Sequence, residues 1–579
     1  MTTAAAWKFQ PCDSFSRGSQ RNFHNAPRIT GVVIVTALAA HLNCGGLIRV
    51  IMMLGPNNRH AVVCRGRGVR INGSKGHSMK DRIQNIVIVG GGSAGFLAAV
   101  AFQLRLPHAK VTVVHAPNIP VIGVGESTTR GVAVFLHDDL RFDRAEFFRE
   151  VQPSWKLGLR LEWGDPRDTH FNYPFDRFID TQLNGLEKLA AFYCLSDCTD
   201  ASLYSALMDR KKAPCVDRAG GMAIDDRTAY HIKNELFIAY LRRKSEQQGA
   251  KLVEGEVVDV QCDDDGDVAS LRLADGREIT GDLFLDCSGF RSLLLNKTRG
   301  EKYVSYSDAL FCDAAVIGSW DRDDEVLPYT TIETMNHGWC WRIDFIDVVT
   351  RGYVYSSAFC SDDEAMREMK QKNPQLGDDL RVIKFPSGRY ENYWVGNVVG
   401  IGNASGFIEP LEATALHLII EQCRFVTEAL VDSDGRIVPA MQQVENQRFR
   451  AMWDDVRDFL ALHYRFNRKL DTPFWRHCQE HSKLGKAEEL VEYFRLAGPS
   501  ALSKKMIDPN SMFGYSGYMT MLVGQRVATE ARSEMTSAER QIWDRFLTAV
   551  RHNAEMAMPM RPALQQVYDP NFTWPKGGR

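Results

Sequence analysis

Three glycines, Gly90, Gly92 and Gly95, stand in the spacing G-x-G-x-x-G between an apolar, β-branched run (85–89) and an Ala/Leu-rich run. A strand, a tight turn and a helix start in that order make a pyrophosphate site. The first glycine permits the turn, the second lets phosphates approach the backbone, and the third lets helix and strand lie close. The free N–H groups of the first helical turn, from Ser93 and Ala94 onward, then face the phosphates with the positive end of the helix dipole. Lys156 lies in Ser-Trp-Lys-Leu-Gly-Leu-Arg-Leu-Glu-Trp (154–163). Strand alternation puts Trp155, Leu157, Leu159 and Leu161 on one face, and Lys156, Gly158 and Arg160 on the other. By spacing alone such a lysine is a solvated edge residue; burial would lower its pKa and make both ammonium and amine accessible. Trp339 and Trp341, two apart in Gly-Trp-Cys-Trp-Arg-Ile-Asp (338–344), share a strand face, and core packing is the plain reading. Pro410 suits the first turn of a helix predicted to run to about 431, in which Glu412 is an ordinary first-turn acid.

The elements that must position these residues follow from periodicity. A second strand, 110–114, ends at His115, where dinucleotide folds commonly place an acid for the ribose. Residues 229–249 have helical apolar spacing. Strand-like segments follow at 251–260 and 268–279, with Asp275-Gly276 as a hairpin turn. Residues 281–290 read as a buried strand ending in a glycine turn, 303–360 as a sheet, 393–406 as another strand and glycine turn, and 440 onward as mostly helical. The order predicts an α/β protein: a doubly wound, Rossmann-like FAD-binding domain of the flavin monooxygenase type with an inserted β-rich substrate lobe (79–435), then a helical C-terminal lobe covering the substrate (436–579). There is no second G-x-G-x-x-G, which favours one tightly held FAD over a hydride-transfer dehydrogenase.

Residues 1–78 carry a net charge of +9, which leaves −11 on the remainder. An acidic body argues against nucleic acid as a partner. The apolar stretch near residues 31–40 is shorter than the ~20 residues a membrane span needs. The 13 cysteines are scattered without a C-x-x-C pair or a His/Cys cluster; they read as reduced thiols of a cytoplasmic protein without a metal site. Met79 precedes the first strand closely enough to read as the true start, with 1–78 an upstream extension outside the fold. An organelle-targeting segment is the second reading.

Several motifs together resemble the flavin-dependent halogenases of the tryptophan-halogenase family, over about 83–530. Ile-Gly-Val-Gly-Glu-Ser-Thr (122–128) is similar to the family's Gly-Val-Gly-Glu-Ala-Thr, a loop that bears on the flavin, here through Gly123, Val124, Gly125 and Glu126. Lys156 matches the catalytic lysine. Residues 402–415 resemble the family's Phe-x-Glu-Pro-Leu-Glu-Ser-Thr-Gly. The resemblance makes Glu412 the catalytic glutamate, Asn403 and Phe407 flavin contacts, and the N–H groups of Thr414 and Ala415 a halide site. The motif at 338–344 is similar to Trp-x-Trp-x-Ile-Pro, with Asp344 in place of proline, and implies that Trp339 and Trp341 wall the flavin off from the organic substrate. Tyr173 and Phe175 match aromatic pocket walls, and His463 and Phe513 fall at substrate-facing positions. The stretch 501–513 lacks the Tyr-Tyr pair of members that take free tryptophan, which implies another substrate.

The activity so implied is halogenation of a small electron-rich aromatic or indole-type substrate by hypohalous acid. Reduced FAD from a separate NAD(P)H-dependent flavin reductase, O2, and chloride or bromide are the co-reactants; a homodimer is left open. A flavin-dependent aromatic hydroxylase is the alternative, and the two tryptophans stand against it. A non-catalytic flavin-binding redox or partner module is kept open by His115, Asp344 and Ala415.

Overall fold

The strand Asn85–Val89 sits inside a six-stranded sheet, where its β-branched residues are buried on both faces. The order is Lys251–Glu254, Lys110–His115, Asn85–Val89, Leu283–Asp286, Val398–Gly400 and Trp394–Val395. The first five run parallel and the last antiparallel. Ile86 and Ile88 enter the main apolar core, whereas Val87 and Val89 enter a smaller one with Leu271 and Leu273 of the strand Val268–Leu273. The computed structural model describes residues 81–119, 125–195, 201–218, 221–322 and 325–575, with Val32–Thr36 and Arg49–Met53 as backbone strands.

Residues 79–579 form one compact unit and 1–78 another. In the latter the two strands pair antiparallel; apart from them, the reading of 1–78 as upstream sequence falls outside the described residues. A seven-stranded sheet spans Arg381–Lys384, Ala314–Asp321, Val348–Tyr355, Gly338–Asp344, Tyr329–Met335, Gly158–Glu162 and Phe171–Pro174, in that order. Only Tyr329–Met335 against Gly158–Glu162 is parallel. A three-stranded sheet joins Glu126–Ser127, Ala229–Ile232 and Ser154–Lys156. The 28-residue helix Pro439–Phe466 brings Phe449, Trp453, Phe459 and Leu462 into the main core. Among the described residues no helix is long and apolar enough to cross a membrane.

Three local expectations change. The helix expected over 229–249 begins only at Asn234, because Ala229–Ile232 is held extended between two strands. The strand expected over 154–163 is two strands in different sheets; at the break Leu157 donates its N–H to the Pro328 carbonyl and leaves the core shared by Trp155, Leu159 and Leu161. The helix expected near Pro410 starts at Ala415: Pro410–Glu412 is one 3-10 turn, and Ala413 at φ +57° stops it. A left-handed non-glycine residue costs of order 1 kcal/mol and persists only where its surroundings impose it.

Candidate active site

A cavity of about 680 Å³ opens where the parallel strands end, the usual place for a ligand in such a sheet. Gly90, Gly92, Ser93, Ala94, His115, Gly125, Glu126, Asn403, Phe407 and Ala415 all line it. Gly123 and Val124 lie outside the described residues. Gly95 stands behind the wall: a Cβ there would come 1.9 Å from the Gly90 carbonyl oxygen, so its role is close packing of helix on strand. A Cβ on Gly90, at φ +130°, would meet the Cys287 carbonyl oxygen at 2.2 Å. The rest of the wall is largely apolar, with Ile317, Val354, Ile383, Phe385 and Ile419.

Two buried nitrogens on this wall, His115 Nε2 and Trp341 Nε1, have no hydrogen-bond partner among the described residues. Burial and, secondarily, Arg242 lower the His115 pKa, which favours the neutral imidazole. Glu126 accepts from Asn234 Nδ2 at 3.3 Å, and desolvation raises its pKa. A glycine turn for a pyrophosphate, an apolar bed and unpaired ring nitrogens fit an FAD.

The two tryptophans separate in role. Trp341 lines the cavity; Trp339, with its ring 5.9 Å away, is fully buried and lies off the wall beside Glu409. Burial pushes the Glu409 carboxyl up to about 7. Trp341 faces Gly352 on the next strand, where a Cβ would come 1.9 Å from the indole. Gly352→Val should therefore displace the indole and weaken FAD binding about tenfold or more; FAD titration, with circular dichroism to verify the fold, is the check.

The segment 410–415 has two faces. Pro410, Ala413 and Ala415 border the cavity, while Glu412 belongs to a different neighbourhood. The turn at Ala413 sets up the start of the 18-residue helix Ala415–Asp432, which no side chain caps. Its first N–H groups have no intrahelical partner and the dipole end is positive, which suits an anion. Thr414 is fully buried there, and its Oγ1 has no hydrogen-bond partner among the described residues.

Glu412, 2% exposed, approaches His463 Nε2 at 2.7 Å, and His463 Nδ1 lies 3.0 Å from the Phe459 carbonyl oxygen. A carbonyl only accepts, so Nδ1 carries a hydrogen. The short contact at Nε2 then requires another proton, either on the carboxyl or on the imidazole. Carboxyl and imidazole together hold one proton beyond a carboxylate and a neutral histidine. Desolvation raises the Glu412 pKa; the His463 hydrogen bond and the charges of His463 and Lys156 oppose it.

Lys156 is fully buried. Its Nζ donates to the Thr128 carbonyl at 2.9 Å and lies 4.9 Å from the Phe175 ring centroid. Burial lowers its pKa to about 7 against the pull of Glu412. Tyr173 packs edge-on to Phe175 at 5.8 Å, Phe459 lies 6.4 Å from Tyr173, and Phe513 stacks on Phe459 at 3.8 Å. Phe459 also meets His463 at 5.1 Å. An aromatic cluster thus runs from the lysine to the glutamate–histidine pair. The sequence reading missed Phe459, although it precedes His463 by four residues and so shares its helix face. It also missed Thr128 as the lysine's acceptor, for which the sequence carries no signal.

The family model for tryptophan halogenases matches residues 85–541. Tryptophan 6-halogenase ThaL of Streptomyces albogriseolus is 34% identical over 451 residues, which cover 73% of this chain and 83% of ThaL. The crystal structure of MibH, a lathipeptide tryptophan 5-halogenase, matches with a TM-score of 0.76 and 33% identity over 84% of this chain and 94% of that one. Xcc4156, a flavin-dependent halogenase from Xanthomonas campestris, matches with a TM-score of 0.75 and 29% identity over 86% and 100%. With segment 410–415 bordering the glycine-turn cavity and a buried lysine and carboxyl lying off its wall, the chain belongs to the tryptophan halogenase family of flavin-dependent enzymes.

Proposed function

We propose that this enzyme halogenates an electron-rich, indole-type aromatic with chloride or bromide, and that Lys156 and Glu412 carry the transfer. The observation that supports this most is the burial of both groups at the two ends of one aromatic cluster off the cavity wall, while segment 410–415, which carries Glu412, borders the FAD-type cavity through Pro410, Ala413 and Ala415. Bound in that cavity, reduced FAD supplies with O2 the oxidising equivalents that turn halide into hypohalous acid. The residues lining the cavity hold the cofactor, and the N–H groups of Thr414 and Ala415 hold the halide.

On the other side Lys156 receives the hypohalous acid, either donating a hydrogen bond to it as the ammonium or forming a haloamine as the amine. The ring carbon takes the halogen and the O–X or N–X bond breaks. Hydroxide leaves as water with a proton from the ammonium, or the lysine nitrogen of the haloamine takes a proton to become the amine again. The ring proton passes to Oε2 of Glu412 in its carboxylate form, while Oε1 stays hydrogen-bonded to His463. Phe175, Tyr173, Phe459 and Phe513 hold the arene. A substrate other than free tryptophan is favoured by the stretch 501–513, which holds no Tyr-Tyr pair. A separate flavin reductase completes the system.

The test supplies the full chain with FAD, a flavin reductase, NADH, O2 and bromide, and offers indole, tryptophan and a phenol panel. The expected product shows the bromine isotope doublet in the mass spectrum and disappears when bromide is left out. Products that gain oxygen alone would overturn the proposal in favour of a hydroxylase.

A further inference from the structure

His231 is fully buried in the three-stranded sheet, paired with Ser127 on one neighbour and Ser154 on the other. Its Nε2 lies 2.8 Å from Thr330 Oγ1, which lies 2.8 Å from Ser127 Oγ. On the other side Ser154 Oγ donates to the Asp344 carbonyl at 2.6 Å and lies 3.4 Å from His231 Nδ1. These contacts fix the direction of the chain. The Ser154 hydrogen is committed to a carbonyl, so His231 Nδ1 faces acceptors only and carries the imidazole proton. Nε2 therefore accepts from Thr330, and Thr330 accepts from Ser127. Burial, reinforced by the Lys156 charge, keeps the ring neutral.

Ser127 and Thr330 both line the cavity. The residue after Ser127, Thr128, supplies the carbonyl on which Lys156 Nζ rests. We propose that Ser127, Thr330 and His231 form a positioning relay that fixes the Lys156 amine relative to the cavity wall, so that hypohalous acid is handed to the lysine and not lost to solvent. The inference rests on the assignment of Lys156 above.

The experiment measures how oxidised halogen divides between the arene and a soluble scavenger such as monochlorodimedone, together with the rate of reduced-flavin oxidation. Glutamine can place an acceptor oxygen near the position of Nε2, whereas asparagine is too short to reach Thr330. His231→Asn should raise the scavenged share at least about fivefold at the parent's flavin-oxidation rate, and His231→Gln should stay within about twofold of the parent. Ser127→Ala, which removes the hydroxyl that donates to Thr330, should raise the scavenged share in the same direction. It decides the matter if His231→Asn does not fold. An unchanged division in His231→Asn, or in Ser127→Ala where that variant decides, overturns the relay. So does a parallel fall of product and flavin oxidation in both His231 variants. Lys156→Ala is run alongside: full halogenation in that variant defeats the assignment of the lysine itself, whereas its loss beside an unchanged His231→Asn defeats the relay alone.

Discussion

Replacing Lys156 with alanine is expected to lower halogenation by about 10³-fold while FAD affinity stays within about twofold, measured by bromide-dependent product formation and by FAD titration. The lysine is buried against Phe175 and bonded to the Thr128 carbonyl, and it is absent from the cavity wall, so its loss leaves the cofactor's contacts in place. A pKa near 7 makes the pH profile informative. If the ammonium does the work, the rate of the transfer step falls as pH rises through 7; if a haloamine forms, it rises.

The same burial has a thermodynamic signature. The folded value near 7 lies below the ordinary 10.5. Between those values the unfolded chain binds the proton that the folded chain has released, so stability rises with pH across that window, and below 7 the full cost of burying the ammonium is present. Lys156→Met should therefore stabilise the fold by about 1–4 kcal/mol at pH 6 and by less at pH 9, read from denaturant unfolding at the two pH values. Equal gains at both would contradict a buried, depressed lysine.

Glu412→Gln is expected to cost about 10²-fold in kcat with little change in KM. The substitution keeps the shape, and the glutamine amide can still donate to His463 Nε2, so the imidazole stays oriented by the Phe459 carbonyl. What disappears is a carboxyl able to take the ring proton. Loss of that proton then becomes the slow step, and an arene deuterated at the attacked carbon should show a primary isotope effect in the variant that is near unity in the parent. A variant without that isotope effect would leave Glu412 as an electrostatic neighbour of the lysine and not the base.

The glycine turn was legible from residues 85–101 because strand, turn and helix each carry a local preference, and Gly90, Gly92 and Gly95 stand where such a turn needs them. The lysine and glutamate were not legible in that way. Alternation made Lys156 an edge residue, because the break at Leu157 and the covering strand Ala229–Ile232 are tertiary facts. Glu412 read as a first-turn acid, because nothing local announces the left-handed Ala413. Their assignment came through the family's motifs alone. His231 was hidden more deeply: its apolar surroundings have helical spacing, and the pairing with Ser127 and Ser154 overrides it.

The reversal at Ala413 gives one short segment a face toward the cavity and another toward the aromatic cluster. A divider of this kind separates two evolutionary problems. On the proposed reading, changes at Tyr173, Phe459 or Phe513 would exchange one arene for another without retuning the compartment where the oxidant is made, and that compartment would persist while the repertoire of acceptors diversifies. The unit of inheritance is then the divider itself, and the aromatic side is the interchangeable part.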